Sequence, residues 1–238
     1  MDGFGDLLAR ERRDDTPALA TADGRTRSYR ELLTNAYKAG NALRHMGVRE
    51  GVELGVAPVP ALQPLLGFLG AGLLGAVTRF DPDASAAAGA RALLVPTGSE
   101  AAYDPDPSTK LAVFGDEPAR PETRHWEETM WSENPSFPPT TFGPETPVLV
   151  AGDETWSHAE VLNAATEVAE THGIGADTSV VLRASLARAG TVTAGLVAPL
   201  SRGGTVVLPD DTATGPVGDV AVGEGPEDVS IDPDDVPV

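Results

Sequence analysis

The sequence predicts an α/β protein with two pseudo-symmetric α/β subdomains, each with a mainly parallel sheet flanked by helices. The first observation is a repeat, because residues 28–36 and 157–165 share one pattern at an offset of 129 positions. The same offset pairs Gly75 with Gly204. The second observation is the order of elements in each copy, where apolar segments of strand length alternate with helical patterns. That alternation is typical of a parallel sheet with helices on its faces.

The first copy predicts a leading helix, a hairpin, a capped helix, a strand, a buried helix and a final strand. Ser28 and Glu31 have the spacing of a capping box, and Gly47 stands where a helix ends. An Asp-Gly pair in the turn at 22–25 favours a hairpin. The predicted elements outside the capped helix cover residues 4–13, 17–21, 26–28, 54–59, 61–74 and 76–80.

The second copy predicts the same order from the hairpin onward. Ser157 and Glu160 form its capping box, and Gly173 ends its helix. The turn of its hairpin is expected at Gly152 to Glu154. The remaining predicted strands and helix cover residues 148–151, 155–156, 179–184, 190–200 and 205–209.

The segments between and after the copies have a different composition. Residues 104–146 are rich in proline and predict a mostly irregular linker, although residues 92–95 and 111–114 have the pattern of two further strands. Residues 210–238 carry nine Asp or Glu and no Lys or Arg. That composition predicts a disordered acidic tail, or one that is ordered only against a partner. The predicted organisation is therefore 1–103, 104–146, 147–209 and 210–238.

The charge of the chain excludes several classes of partner. The net charge is −19, with 36 acidic residues against 17 basic ones, and only Lys38 and Lys110 are lysines. An acidic surface almost without lysine suits a cytoplasm at multimolar salt, where self-repulsion is screened, and predicts a halophilic protein. The same charge opposes binding to nucleic acid and to anionic membranes. An acidic mesophilic protein is the alternative.

The cysteine content and the N-terminal sequence limit the kinds of reaction and site that the protein can have and indicate where in the cell it is expected. The chain contains no cysteine, so disulfides, thiol nucleophiles and cysteine metal sites are excluded. Its N-terminus lacks a signal pattern. The uncharged stretch 54–78 is interrupted by prolines, and its unbroken part is shorter than the ~20 residues that span a bilayer. We therefore expect a cytoplasmic protein with no membrane partner.

Several segments together resemble the N-terminal region of the acyl-adenylate-forming superfamily, which includes acyl-CoA synthetases, peptide-synthetase adenylation domains and luciferases. The resemblance covers about residues 4–84 and 145–210. It implies an N-terminal region of two pseudo-symmetric α/β subdomains and, in the family, ATP and Mg²⁺ as cofactors. The segments that carry it are 4–8 with 17–19, 23–32 (DGRTRSYREL), 42–51 (ALRHMGVREG), 68–76 (FLGAGLLGA), 80–82 (FDP), 157–162 (SHAEVL) and 198–209 (APLSRGGTVVLP).

The phosphate-binding loop of that family, of the form TSGTTGxPKG, has no counterpart in this sequence. Its position falls at residues 152–155 (GDET), which supply one glycine, no lysine and two carboxylates. A phosphate loop requires glycines for backbone N–H donors and a lysine for charge. A tight hairpin turn is the simpler interpretation, as in the first copy.

The other motifs favour structural roles over chemistry. The family's aromatic and histidine positions fall near residues 185–190, where Ala187 or Arg188 stands; Arg188 has the charge to bind an anion, but a surface arginine is the preferred interpretation. Ser157 beside His158 is explained by capping. His45, His125 and His172 lack the spacing of metal ligands. The pattern Gly70 to Gly75 is explained by helix packing. Asp210–Asp211 is a candidate cation site, but the equivalent position Asp81 favours a turn at the end of a strand. His158 is predicted to lie at the surface or at a subdomain contact.

These observations predict a truncated, non-catalytic relative of the superfamily with a structural or regulatory role. The adenine, magnesium and lid residues of the family would lie beyond residue 238, so no catalytic, cofactor-binding or metal-binding residue is assigned, and neither ATP nor Mg²⁺ is expected to bind. A protein partner or self-association is expected, since an incomplete second subdomain would expose apolar surface. The alternatives are half of a split ligase that needs a second chain for its ATP site, and a binding protein for acyl or aryl carboxylates.

Overall fold

Two sheets of mostly parallel strands organise the chain. The computed structural model describes residues 1–21, 24–82, 89–103, 107–138, 142–209, 215 and 217–238. In the seven-stranded sheet the order is β7-β6-β5-β3-β4-β8-β9, and in the six-stranded sheet it is β13-β12-β10-β11-β1-β2. The strands are β1 Pro17–Thr21, β2 Thr26–Ser28, β3 Glu53–Val56, β4 Val77–Phe80, β5 Ala92–Pro96, β6 Lys110–Phe114, β7 Arg124–His125, β8 Pro147–Ala151, β9 Glu154–Ser157, β10 Ser179–Leu182, β11 Thr205–Leu208, β12 Val220–Val222 and β13 Val229–Ile231.

Helices cover these sheets, and both predicted capping boxes are present. The Ser28 hydroxyl accepts a hydrogen bond from the Glu31 N–H (3.2 Å), and the Ser157 hydroxyl accepts one from the Glu160 N–H (3.3 Å). In both boxes the glutamate accepts from the N-cap N–H in return. The helices are α1 Phe4–Leu7, α2 Tyr29–His45, α3 Leu62–Leu73, α4 Trp126–Trp131, α5 His158–Thr171, α6 Ala189–Val192 and α7 Ala198–Arg202, with a π-helical turn at Thr193–Val197 between the last two.

Each hairpin lies in the sheet of the other repeat. The first hairpin, β1 and β2, pairs in parallel with β11, where Leu19 is opposite Val206. The second hairpin, β8 and β9, pairs in parallel with β4, where Thr78 is opposite Leu149. The α/β class and the pseudo-symmetry are therefore as predicted, while this exchange between the repeats was not expected. The division of the chain at 103, 146 and 209 stays a prediction, and the strand pairing crosses it.

Within the acidic C-terminal segment, the described residues 217–238 contain two strands, which contradicts the prediction of disorder for this part. Strand β12 pairs in parallel with β10, and β13 pairs in parallel with β12. Their apolar side chains, with Val220, Val222 and Ile231 buried, extend the core of the six-stranded sheet. Because the segment contains many carboxylates, the apolar pattern of β12 and β13 was missed in the sequence. Several of those carboxylates are held by arginines, as described below.

The proline-rich linker also contains regular structure. Strand β6 falls where residues 111–114 were predicted, but helix α4 was not predicted. Its Trp126 is fully buried, and the indole Nε1–H donates to the Gln63 side-chain oxygen at 2.9 Å. Part of the segment predicted as irregular therefore packs as core. Within the described ranges, no helix is long and apolar enough to cross a membrane.

Within the pattern Gly70 to Gly75, Gly70 serves helix packing, as predicted, whereas Gly75 lies beyond the end of α3 with φ 66°. Helices α2 and α3 cross so closely that a Cβ at Gly70 would lie 2.6 Å from the backbone nitrogen of Gly40. A contact that short does not occur between real atoms, so a side chain at this position would push the two helices apart.

Replacing Gly70 with alanine is expected to lower the free energy of unfolding by about 1–3 kcal/mol, the usual cost of overpacking a core. The matched control is Gly175→Ala, because a Cβ there meets nothing within 4 Å and the backbone is not left-handed. Urea unfolding at fixed KCl would measure both. Equal stabilities of the two variants would contradict the packing role of Gly70.

Candidate functional site

The place of the family's phosphate loop is a two-residue hairpin turn. In the antiparallel pair of β8 and β9, Ala151 is opposite Glu154, which leaves only Gly152 and Asp153 between the strands. Gly152 has φ 58°. A positive φ at the first central position is the reason that type II′ turns take glycine there. The turn predicted from the sequence is confirmed.

The surroundings of this turn do not make an anion cradle. Arg79 on β4 donates from Nη1 to the Gly152 carbonyl oxygen at 2.9 Å and from Nε to the Glu53 carboxylate at 3.1 Å. The Arg79 guanidinium group is thus bonded to a carbonyl and to a carboxylate. Asp153 and Glu154 are exposed beside it. The turn offers carboxylates where a triphosphate would require N–H donors and a lysine.

The loop after β10, where the family has an aromatic residue and a histidine, is covered by the C-terminal segment. Arg188 donates from Nε to Asp234 at 3.0 Å, pairs again with Asp234 through Nη2, and lies 3.5 Å from the Asp232 carboxylate. A Cβ at Gly190 would lie 1.9 Å from the Pro233 carbonyl oxygen, so the segment packs directly on the loop. Arg188 therefore has internal anionic partners, and the prediction of a role at the surface is the better of the two.

His158 is buried, so of its two predicted placements, at the surface or at a subdomain contact, the structure has the contact. Its ring is fully inaccessible, and Nδ1 accepts a hydrogen bond from the Phe4 N–H at 3.3 Å. The ring lies edge-on to Phe4 and stacks on Phe142, each with centroids 5.0 Å apart. Burial lowers the pKa of His158 to about 4, so the ring is neutral at pH 7. It joins helix α5 of the second repeat to the N-terminal segment.

The remaining candidate residues are not brought together. The described residues contain no group of three or more His, Asp or Glu side chains that could hold a metal ion. His45 pairs with Glu133 at 2.8 Å, and His125 lies 3.5 Å from Glu127. His172 follows the end of α5. Ser157 acts as the helix cap described above.

The aspartates at the strand ends are only partly described. Asp81 has φ 61°, which is consistent with the predicted turn at the end of β4, since a left-handed residue reverses the chain direction there. Asp210 and Asp211, the candidates for a cation site, lie outside the described residues, as do Ala22 and Asp23 of the first hairpin turn.

Two features were missed from the sequence. The first is a buried ion pair in which Arg183 donates from Nη2 and Nε to the two carboxylate oxygens of Glu227, at 2.6 and 3.1 Å. The second is a cavity of about 660 Å³ beside the first hairpin, lined in part by Arg25 and Arg27. For the cavity a signal was present, because the equivalent positions of the second repeat hold Glu154 and Trp156. For the ion pair no local pattern exists.

Comparisons with known proteins assign the fold. No protein-family model and no curated protein matches the sequence. Among solved structures, the anthranilate CoA ligase AuaEII in complex with anthranoyl-AMP superposes with a TM-score of 0.74 at 19% identity, over 87% of this chain and 44% of that one. The benzoate CoA ligase from Burkholderia xenovorans LB400 gives 0.74 at 21% identity, over 93% and 50%.

A third structure helps to place the match along those longer enzymes. The N-terminal domain of FACL13 from Mycobacterium tuberculosis superposes with a TM-score of 0.70 at 15% identity, over 88% of this chain and 57% of that one. The chain therefore spans about half the length of these structures. It has the fold of the N-terminal region of adenylate-forming enzymes, as the sequence resemblance implied.

Proposed function

We propose that this protein is a non-catalytic relative of the adenylate-forming enzymes that acts by binding a protein partner. The proposal that the protein is non-catalytic rests on the two-residue turn at Gly152 and Asp153, in the place of the phosphate loop. The turn lacks the glycine-rich backbone and the lysine with which a phosphate loop holds a triphosphate. The exposed carboxylates of Asp153 and Glu154 would repel it.

The contacts of Arg79 and Arg188 also support the loss of the nucleotide site. Arg79 is bonded to the Gly152 carbonyl and to Glu53, and Arg188 is paired with carboxylates of the C-terminal segment. Binding ATP phosphates would require breaking these contacts. Adenylation of a carboxylic acid needs the α-phosphate to be held against the attacking oxygen, so losing the cradle removes the positioning on which the reaction depends.

Strand β13 is the surface that we propose for the partner. It is the last strand of the six-stranded sheet among the described residues, with β12 on one side only. Val229 is 41% exposed, and Ser230 is exposed beside it. An edge strand of this kind can pair with an added strand of another protein through its backbone groups.

The charges around β13 select the chemistry of that partner. Asp228 precedes the strand and Asp235 follows it, and both are exposed. In a chain of net charge −19, an acidic partner would be repelled from this edge. The partner that fits is an extended segment with lysine or arginine flanking an apolar residue that covers Val229.

Thermal unfolding in multimolar KCl with and without Mg²⁺-ATP tests the loss of the nucleotide site. We expect the same midpoint in both, because a ligand at 100 times its dissociation constant would stabilise the fold by about 2.7 kcal/mol and raise the midpoint visibly. Mg²⁺ alone at matched ionic strength is the control. A rise in the midpoint that requires ATP would overturn the proposal and favour a split ligase that retains part of the site.

The proposal that β13 binds a protein partner is tested by cross-linking and mass spectrometry of wild-type protein and the Val229→Glu variant in cell extract at native salt. The proposal requires one protein whose cross-links fall next to β13 and are lost in the variant. Val229→Thr keeps the edge uncharged and is the control. Cross-links at β13 that persist in Val229→Glu, or that are absent from wild-type protein, would count against this surface.

A further inference from the structure

An open cavity lies beside the first hairpin. It has a volume of about 660 Å³ and opens to solvent between the hairpin, the end of β11 and the start of α3. One wall is apolar and is formed by Leu19, Leu62 and Leu208. Arg25 and Arg27 line the same cavity. A cavity of this size is in the range of small-molecule sites, about 300–1,000 Å³.

The sheet topology explains why apolar and basic groups meet here. Leu19 on β1 and Arg27 on β2 are directly opposite each other in the antiparallel hairpin. Cross-strand partners project from the same face of a sheet, so the Arg27 side chain extends over the apolar wall. Leu208 stands at the carboxyl end of β11, the strand that pairs with β1. Ligands of α/β proteins are commonly bound at such carboxyl ends.

The repeat offers an internal comparison for this site. Arg25 and Arg27 correspond to Glu154 and Trp156 of the second hairpin at the same offset of 129 positions. The two hairpins share their strand pairing and their capping boxes, yet only the first has basic side chains. Hairpin geometry alone therefore does not require arginine at these positions. In a chain with 17 basic residues against 36 acidic ones, two arginines line this one cavity.

We propose that this cavity binds a small organic anion with an apolar body. The anionic group lies against the guanidinium groups of Arg25 and Arg27, which match the oxygens of carboxylate, phosphate or sulfonate. The apolar body packs against Leu19, Leu62 and Leu208. The site is separate from the hairpin turn of the second repeat and from strand β13, so it does not depend on the function proposed above.

The probe for this site is 8-anilinonaphthalene-1-sulfonate, an anion with an apolar body whose fluorescence rises when it leaves water. Wild-type protein is expected to bind it with a saturable 1:1 isotherm. The double variant Arg25→Ala/Arg27→Ala is expected to bind at least about tenfold more weakly, since hydrogen bonds between charged groups are stronger than neutral ones. Arg30→Ala removes one exposed positive charge from the neighbouring helix and should leave the isotherm unchanged.

A neutral probe separates charge recognition from simple apolar adsorption. N-phenyl-1-naphthylamine has a similar body without the sulfonate, and its affinity should be the same for wild-type protein and the double variant. Equal affinity of the sulfonate for wild-type protein and the double variant would overturn the proposal, as would an isotherm that does not saturate. Equal loss of both probes would show adsorption that does not involve the charge.

Two-dimensional amide NMR of unaltered wild-type protein provides a readout that does not depend on whether the variants fold. Shifts induced by the sulfonate should concentrate at residues 19–21, 24–28 and 61–62. Shifts spread over the surface, or confined to the edge at β13, would contradict the assignment of the site to the first hairpin.

Discussion

Replacing Glu227 with alanine is expected to lower the free energy of unfolding by about 3–5 kcal/mol, because it leaves the Arg183 guanidinium buried without its carboxylate. The Glu227 side chain is fully buried, and that of Arg183 is 10% exposed. Glu227 also accepts a hydrogen bond from the Val217 N–H at 3.2 Å, and its pair with Arg183 connects the C-terminal segment to the residue that follows β10. Urea unfolding at fixed KCl and neutral pH would measure the loss.

Two further variants distinguish a buried pair from a surface one. Asp234→Ala removes a carboxylate from the exposed pair with Arg188 and should cost less than about 1 kcal/mol. Arg183→Met/Glu227→Leu removes both buried charges and should be less destabilised than Glu227→Ala, since a buried pair costs most when only one partner is lost. A Glu227→Ala variant as stable as Asp234→Ala would refute the role given to this pair.

The pKa of Glu227 links the same contact to pH. Burial acts to raise this pKa, but the hydrogen bonds from Arg183 and Val217 hold it below its ordinary value. Because the folded-state pKa is the lower one, the unfolded chain takes up the proton first as the pH falls. The pair therefore contributes its full stability above the unfolded pKa and loses it in acid.

The second large effect is a pH dependence that comes from His158. Burial lowers its folded-state pKa from 6.5 to about 4, so between these values the unfolded chain binds more protons than the folded chain. Stability should therefore rise with pH through this window, by about 3 kcal/mol from this one group. Above pH 6.5 the ring is neutral in both states, and its contribution no longer changes.

Comparison with His158→Asn isolates this contribution from that of the many carboxylates that titrate in the same range. The asparagine oxygen replaces Nδ1 as the acceptor for the Phe4 N–H but does not titrate. The difference in unfolding free energy between wild-type protein and the variant, measured in urea from pH 4 to 7.5 at fixed KCl, should grow with pH and then level off. A difference that is constant with pH would show that the ring is not held neutral.

The elements that sequence analysis located correctly are those set by short-range rules. Both capping boxes and the hairpin strands followed from residues within a few positions of each other, such as Ser157 and Glu160. The pairing of β1 with β11 joins residues almost 190 positions apart, and no local pattern specifies it. Long-range pairing of this kind depends on which apolar strands come together as the chain collapses.

The errors at individual sites have a common physical cause. The C-terminal segment was expected to be disordered because it is rich in carboxylates, but burial is decided by the partners that a polar group finds. Glu227 is buried because Arg183 reaches it from β10, and His158 because Phe4 and Phe142 enclose its ring. The missing phosphate loop was found from the sequence because it is a local absence in an ordered set of motifs.

The exchange of hairpins between the repeats makes the two halves of the chain a single folding unit. Strand β1 leaves the translating ribosome long before β11, the strand on which it is laid. The first hairpin therefore stays without β11, its pairing partner, until the second half of the chain has been synthesised. Contacts this distant in sequence slow folding and expose strand edges during the delay. A fragment cut between the repeats would lose one hairpin from each sheet, so each half needs the other to complete its sheet.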